Sequence, residues 1–587
     1  MLEILSRVYC LVIGSTVAKL SRVMNSITRD DVSSIFTRHK PTNTRIAFLV
    51  LHWGIYTPTL GNRNLHFKSL NFLYKLYINS ISHLCFADDL FVFTRGDIQS
   101  VEALKRALAL FRLKSGLEPS LEKSEVFFGN VDDHIKEAIL QSLPFRNGVF
   151  PIRYLGVPLS PVRLRNADFL GVIQKIRNRI HNWKCKFLSY GGRRQLIASV
   201  LQSLQLYWMS VFAFPVGVLH TIEGLCRNFL WAQGADAKGR CRIAWNEVCK
   251  PVLEGGLGFR RLVIWNRAFL AKHLWEILEK RNSLWIAWVN QHCLRGKSIW
   301  EVTIRTDWSW TFRSILSIRS SMQSHVFSKI GNGVSINAWS DFWLDCGTLK
   351  AILPFRSFSG EGFSRASCVA DVLNQIGGGW PNAWIVRAPV LQNQNIPTLS
   401  DAQDVIVWKN DQVLGDFSIT DAYYTFLGHN THVPWSKVVW VKGYIPKHAL
   451  CVWMAILNRL PTQDRLISWK HIPPDSKCFF CNACVETHEH LFCNCVVLAD
   501  LWRMVRLEVD LSNGPMDISH VHDDLLWNDM QKLAFSATVY MVWRERNARL
   551  FRKIIKPMET LFKEIQMVVI ARMAWKNRRS LNVRNEE

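Results

Sequence analysis

The sequence is short of acid. In 587 residues, 47 Asp and Glu face 72 Lys and Arg, giving a net charge of +25 at pH 7 and a pI near 9.6. That balance excludes an acidic, solvating chain and favours a polyanionic partner. Glycine (31) and proline (20) are too sparse for a collagen-like or low-complexity architecture. We find no internal period in the range of about 20 to 50 residues, which excludes solenoids and propellers. With hydrophobics at 49% and charged residues at 20%, the chain builds a real core rather than a disordered tail. Its length suggests about four domain-sized units.

Uninterrupted apolar runs of membrane length are also missing. No Asp, Glu, Lys or Arg occurs between Arg194 and Glu223. Even so, Gln195, Gln202, Ser203, Gln205, Ser210, Pro215 and His220 interrupt the stretch, so it reads as a buried helix pair rather than a bilayer span. Val8 to Ala18, after Arg7, imitates the apolar core of an export signal. Glu3 precedes it, and Lys19 and Arg22 follow at once, so secretion is not expected. The chain is expected in the nucleus or cytoplasm, with no membrane partner.

What is plentiful is tryptophan, with 25 alongside 33 Phe and 11 Tyr. Most of these side chains should be core mass, and the rest are available for stacking on bases. The 15 cysteines are unevenly placed, with Cys478, Cys481, Cys484, Cys493 and Cys495 in one 18-residue window. Such clustering reads as metal ligation in a reducing compartment, and the isolated cysteines read as small buried hydrophobes. Disulfides are not expected.

The segment Ile81 to Thr94 (ISHLCFADDLFVFT) is an apolar run, two aspartates and a second apolar run. It predicts a hairpin with Asp88 and Asp89 at the turn. Adjacent carboxylates there could hold divalent cations, although Asp also favours turns for purely local reasons.

Three motifs follow in order: Phe86-Ala87-Asp88-Asp89, then Ser115-Gly116-Leu117 through Leu121-Glu122-Lys123-Ser124, then Arg153 to Leu159 (RYLGVPL). Together they resemble the later palm motifs of LINE-type (non-LTR) retrotransposon reverse transcriptases of the plant kind. The resemblance implies that Asp88 and Asp89 are the magnesium-binding pair and Lys123 the lysine of the following motif. Tyr154 to Leu159 would open the primer-grip region.

Phe169, Ile173, Ile176, Ile180 and Trp183 form one seam of an amphipathic helix. After a Gly191-Gly192 break, Ile197, Leu201 and Leu204 continue the pattern in a second helix. From Arg163 to Arg194 there are nine basic residues against one acid, Asp168. Charge of that density suits a phosphate backbone, a solvated basic face being the plainer reading. The resemblance extends to the thumb of the same enzymes and favours the first. It makes Lys175, Arg177, Arg179, Lys184, Lys186, Arg193 and Arg194 the expected nucleic-acid contacts, with RNA and DNA as partners.

Further along, Trp245, Cys249, Gly255 to Phe259 and Asn266 resemble the plant family's post-thumb connection. So does Gly331-Asn332-Gly333 with Trp339 and Asp341 to Trp343. Gly331-Asn332-Gly333 reads as a tight turn between strands, because it lacks the lysine of a phosphate loop. Residues 357–398, rich in Gly, Ser, Asn and Pro, read as a linker.

The cysteine cluster runs CFFCNACVETHEHLFCNC from Cys478. Two registers can close a tetrahedral zinc site: Cys478, Cys481, His490 and Cys495, or Cys481, Cys484, His488 and Cys493. Spacing alone does not separate them. The surrounding Trp408, Tyr423, Trp435, Trp440, Trp453, Arg459 to Thr462 and His490-Leu491-Phe492 resemble the reverse-transcriptase zinc-binding domain. This resemblance favours the first register, a structural zinc site. Leu533 to Phe551 reads as a helix with Arg544, Arg546, Arg549 and Arg552 crowding one end, similar to the family's helical tail.

These readings give an α+β, predominantly helical chain. Residues 1–160 are expected to form a partial palm, 161–235 a helical thumb and 236–400 a connection region with linker. Residues 405–500 would be the zinc-binding domain and 501–587 a helical basic tail. Two-metal nucleotidyl transfer needs carboxylates from more than one strand around ions about 3.5 to 4 Å apart. Met1 to Arg7 resembles the helix after the family's nucleotide-pocket segment, which would leave the upstream aspartate outside this chain. Asp31 fits only a loose D-x4-F pattern in the wrong order. The expectation is a reverse-transcriptase-like protein that binds nucleic acid through a zinc-supported fold and is catalytically inactive. Magnesium is expected only if the palm site works. The alternatives are a nonenzymatic zinc-dependent RNA- or DNA-binding protein and an unselected pseudogene product.

Overall fold

The computed structural model describes residues 46–52, 83–86, 89–116, 118–160, 162–183, 188–232, 241–410, 413–428, 431–473, 475–510 and 527–584. Met1 to Arg7, Asp31, Asp88, Lys184 and Lys186 lie outside them. The fold is α+β and predominantly helical. Two compact units share the chain, each assembled from discontinuous segments.

The first unit holds residues 1–168, 208–213 and 269–419. Its main sheet comprises β1 (Ile46–His52), β2 (His83–Phe86), β3 (Asp89–Arg95), β4 (Glu125–Gly129) and β5 (Arg146–Asn147), in the order β2-β3-β1-β4-β5. All neighbours are antiparallel except β4 and β5. The two strands of the expected hairpin pair antiparallel, with Phe86 opposite Asp89, which opens β3; the turn position expected for Asp88 lies outside the described residues.

The continuous apolar run of β3 is what a strand buried on both faces requires. On one face Leu90 and Val92 join Val101, Leu104, Leu108 and Phe111 of the helix Ile98–Ser115. On the other, Phe91 and Phe93 pack with Phe127, Ile152, Tyr154, Val157 and Leu159. Those last four residues come from a two-residue hairpin, β6 (Ile152–Tyr154) and β7 (Val157–Leu159). Leu155 (φ 49°) and Gly156 (φ 78°) form its turn, a left-handed pair that glycine makes inexpensive.

A second layer of this unit combines β8 (Val326–Lys329), β9 (Val405–Asn410) and β10 (Val413–Gly415). β8 pairs with β9, far along the chain. The turn expected at Gly331-Asn332-Gly333 therefore does not join neighbouring strands. Instead the loop wraps the Asp404 carboxylate, which accepts the backbone N–H groups of Gly331 (2.8 Å), Gly333 (2.8 Å) and Ser335 (3.0 Å). These bonds hold the carboxyl below its usual range against the opposing effect of partial burial.

The linker expected at 357–398 is also corrected. This stretch forms the helices Phe355–Gly360, Val369–Ile376 and Asn382–Arg387. Phe358, Val369, Val372, Trp384 and Leu391 are fully buried with Trp339 and Trp343. Gly362, Gly377 and Gly378 occupy turns, while the apolar residues of the helices supply the core.

The second unit holds residues 169–207, 214–268 and 420–587. Phe169, Ile173, Ile176 and Ile180 are buried along the helix Leu170–Asn182, and Trp183 packs on Phe229 of the helix Val216–Ala232. Gly191 and Gly192 do not break the helical pattern as expected. They lie in the first turn of the helix Tyr190–Leu196, where Ser189 caps the Gly192 N–H. A Cβ at Gly191 would sit 2.8 Å from the backbone of Pro446, so the glycine permits close approach of the helix Pro446–Ile456. That helix packs in turn on Asp529–Arg552. Among the described residues, no helix is long and apolar enough to cross a membrane.

Candidate metal centre

The loop from Cys478 is folded by its own backbone. The Cys478 N–H donates to the Cys484 carbonyl (2.8 Å), and the Asn482 N–H donates to the Cys478 carbonyl (2.9 Å). Asn482 completes the knuckle in the left-handed region (φ 53°), which Asn tolerates better than most residues. On the far side, Thr487 Oγ1 accepts the His490 N–H (3.0 Å) at the start of a wide helical turn, His490–Asn494. Cys495 then caps the helix Val496–Glu508, its carbonyl accepting from Leu498 and Ala499.

This architecture brings Cys478, Cys481, His490 and Cys495 together, with their ligand atoms all within 4.8 Å of one another. Cys481 Sγ is 3.3 Å from His490 Nε2. A tetrahedral zinc shell with Zn–S of about 2.3 Å and Zn–N of about 2.0 to 2.1 Å has S–N edges of about 3.5 Å, so the donor set fits. A hydrogen bond from Cys478 and the N–H groups of the following helix hold the Cys495 thiol below its usual range. The same Cys495 contact, together with burial, pushes the Cys478 thiol up. Three thiols and one imidazole fill a tetrahedron and leave no position for a water nucleophile, which is the arrangement of a structural site.

The competing register is not assembled. Leu460 N–H donates to His488 Nε2 (3.1 Å), so Nδ1 carries the proton and donates to Thr462 Oγ1 (3.0 Å). Both ring nitrogens are thereby committed to the Leu460 to Thr462 turn. Burial lowers the His488 pKa to about 4 and keeps the ring neutral.

Two further groups lock the loop and were not read from the sequence. Glu486 is fully buried and forms an ion pair with Arg546 (2.7 Å) from the helix Asp529–Arg552. One turn on, Arg549 donates to the Phe479 carbonyl (3.1 Å) and lies over the Phe480 ring (4.3 Å). The signal was available: Phe535, Val539, Val542, Arg546 and Arg549 follow one another at steps of 4, 3, 4 and 3, placing both arginines on the buried stripe. Read from the sequence alone, these arginines only crowd one end of the helix.

The remaining expected site residues are dispersed. Asp89 is half-buried at the start of β3. In the register of the sheet its partner on β1 is His52, and β1 (IAFLVLH) contains no acid. Lys123 is half-buried in the turn before β4. Lys175 and Arg179 are exposed on the helix Leu170–Asn182, with Arg177 half-buried beside them. Arg193 and Arg194 correct the expectation of one basic face. Arg193 is 3% exposed and donates to the carbonyls of Leu188 (3.0 Å) and Leu230 (3.2 Å). Arg194 donates to Tyr444 Oη (3.0 Å) and the Leu257 carbonyl (3.1 Å), lying over the Trp440 ring. Both guanidinium groups are held by internal acceptors.

Residues 417–502 match the family described as zinc-binding in reverse transcriptase. The chain is also similar to two proteins of Arabidopsis thaliana. One, named "Putative ribonuclease H protein", is 27% identical over 368 residues, covering 59% of this chain and 57% of that protein. The other, named "Uncharacterized mitochondrial protein", is 27% identical over 143 residues, covering 24% of this chain and 93% of that protein. The chain thus spans little more than half the length of the first relative. Through residues 417–502, the chain is similar to the zinc-binding region found in reverse transcriptase.

Proposed function

We propose that this is a reverse-transcriptase-related protein of LINE type that binds RNA or DNA, with a structural zinc ion held by Cys478, Cys481, His490 and Cys495. The convergence of those four donors within 4.8 Å carries the metal reading. Zinc would neutralise the three thiolates and close the loop, contributing folding energy rather than chemistry.

The nucleic-acid surface is the helix Leu170–Asn182, whose exposed Lys175 and Arg179 and half-buried Arg177 suit a phosphate backbone. The net charge of +25 supports a polyanionic partner. Polymerisation is not part of the reading. Among the described residues, the strand paired with β3 offers no second carboxylate beside Asp89, so a two-ion clamp lacks a jaw. The ribonuclease H activity in one relative's name is not carried over, since the match covers only 57% of that protein.

Binding of a short single-stranded RNA and its DNA duplex counterpart, measured across salt concentrations, tests this reading. Affinity falling steeply with salt is expected, and affinity independent of salt would sink it. Template-dependent primer extension above a control carrying Asp88→Asn and Asp89→Asn would overturn the loss of catalysis.

A further inference from the structure

Trp469 stands apart from the other described tryptophans. It is 41% exposed, whereas the rest are buried or half-buried. It follows directly on the helix Gln463–Ser468 and is itself followed by exposed Lys470 and His471. That end of the helix is fixed. The Lys470 N–H donates to the Ile467 carbonyl and the His471 N–H to the Leu466 carbonyl, both at 2.8 Å, the paired bonds of a Schellman cap. Such a cap needs one left-handed residue, a place helices usually give to glycine, and here it is Lys470 (φ 59°). The opposite end of the helix is tied to the metal loop. There Asp464 N–H donates to the Glu486 carbonyl (3.2 Å) and Gln463 Nε2 to the Lys477 carbonyl (2.8 Å).

The indole is framed by cationic and imidazole groups. The Arg465 guanidinium carbon lies 5.8 Å from the Trp469 ring centre, and its Nη1 is held by the Asn458 carbonyl (2.6 Å). The His471 ring meets the indole edge-on at 6.4 Å. The exposed chain neighbours Ser468, Lys470 and His471 are polar, unlike the extended apolar centre of a protein interface. An aromatic ring beside cations instead matches one unpaired base with its flanking phosphates. A duplex keeps its bases stacked inside and offers no such base.

We infer that Trp469 is a stacking platform for an unpaired base of single-stranded RNA or DNA, with Lys470 held beside it for a flanking phosphate. The inference rests on the nucleic-acid reading above and extends it from phosphate contacts on the helix Leu170–Asn182 to a base contact beside the metal loop. It also accounts for a lysine at a position where glycine would cost the backbone less.

The test measures binding of a labelled oligouridylate and of a mixed-sequence DNA duplex to the full chain across salt concentrations. The proteins compared are the unaltered chain, Trp469→Ala, Trp469→Phe and Lys470→Gly. Trp469→Ala should weaken single-strand binding about 5- to 150-fold, with the salt slope and the duplex affinity unchanged, because stacking releases no counterions. Trp469→Phe, which keeps a ring, should recover most of that loss. Lys470→Gly should reduce the slope of log affinity against log salt by about 0.7 for the single strand, without lowering the melt, since glycine suits the cap. Unchanged single-strand affinity in Trp469→Ala would overturn the inference, as would an equal loss on the duplex or an equal loss in Trp469→Phe. If the unaltered chain binds neither nucleic acid, the nucleic-acid reading itself fails and takes this inference with it, a result distinct from the others.

Discussion

The carboxylate of Glu486 and the guanidinium of Arg546 meet at 2.7 Å across 60 residues of sequence, with side-chain exposures of 0% and 1%. Asp464 N–H donates to the Glu486 carbonyl, and Gln463 N–H to its carboxylate, so one residue ties the metal loop to two helices. Removing one partner strands a buried charge. Arg546→Met should therefore destabilise by about 3 to 5 kcal/mol, read from urea unfolding of the full chain. Glu486→Leu combined with Arg546→Met should recover much of that loss, because the desolvation of both ions disappears. Equal losses in the single and double variants would contradict this account.

The register of metal ligands predicts a selective pattern. Cys478→Ser and His490→Ala should lose stoichiometric zinc by elemental analysis. His488→Ala and Cys493→Ser should retain it. His488→Ala should nevertheless lower the melting temperature, because Leu460 N–H and Thr462 Oγ1 each lose a partner. Zinc loss in Cys493→Ser with retention in Cys478→Ser would reverse the assignment.

Acid should loosen the second unit through His448. This ring is 2% exposed and stacks on Tyr540 at 4.3 Å, and burial, with Lys447 and Arg544 nearby, lowers its pKa from 6.5 to about 3. Between those values the unfolded chain binds a proton that the native state refuses, so stability rises with pH there and is lost as pH falls from about 6.5. His488 adds a loss of the same sign. His448→Phe, which keeps the stack and cannot titrate, should flatten the acid limb of the melting temperature between about pH 6.5 and pH 4.5. An unchanged slope would show that His448 is not the group responsible.

The two classes of arginine should separate in binding assays. Lys175→Ala with Arg179→Ala should reduce the slope of log affinity against log salt by about 1 to 2, with an unchanged melt. Arg193→Ala should instead lower the melt, because the carbonyls of Leu188 and Leu230 lose their donor. A folded Arg193→Ala protein with a reduced salt slope would return that residue to the phosphate surface.

The tryptophan-rich layer of the first unit gives a stability test. Trp384 is fully buried among Phe358, Phe363 and Trp380, and its indole N–H donates to the Ser357 carbonyl (3.0 Å). Trp384→Ala should cost about 3 to 5 kcal/mol. Limited proteolysis should spare 357–398 in the unaltered chain and cut it in the variant. Cleavage there in both would restore the linker reading.

Local patterns were the legible part of this protein. The apolar run of β3, the seam from Phe169 to Ile180 and the cysteine spacing each express a period or a spacing that neighbouring residues fix among themselves. The same reasoning failed where composition stood in for packing. The Gly and Ser content of 357–398 hid three short helices that bury Phe358, Val369, Val372 and Trp384, and the charge of Arg193 and Arg194 suggested a phosphate-binding face.

By itself, then, the sequence determined the helical and strand periods, the paired strands on either side of the Asp88-Asp89 dipeptide, and a thiol-imidazole cluster of metal-binding spacing. Only the tertiary structure decided which histidine faces the thiols, because His488 is claimed by the Leu460 to Thr462 turn while His490 is left to Cys481 and Cys484. It likewise decided which arginines reach solvent. A charge is buried wherever the fold brings it enough acceptors to replace water, and most of those acceptors lie tens to hundreds of residues away.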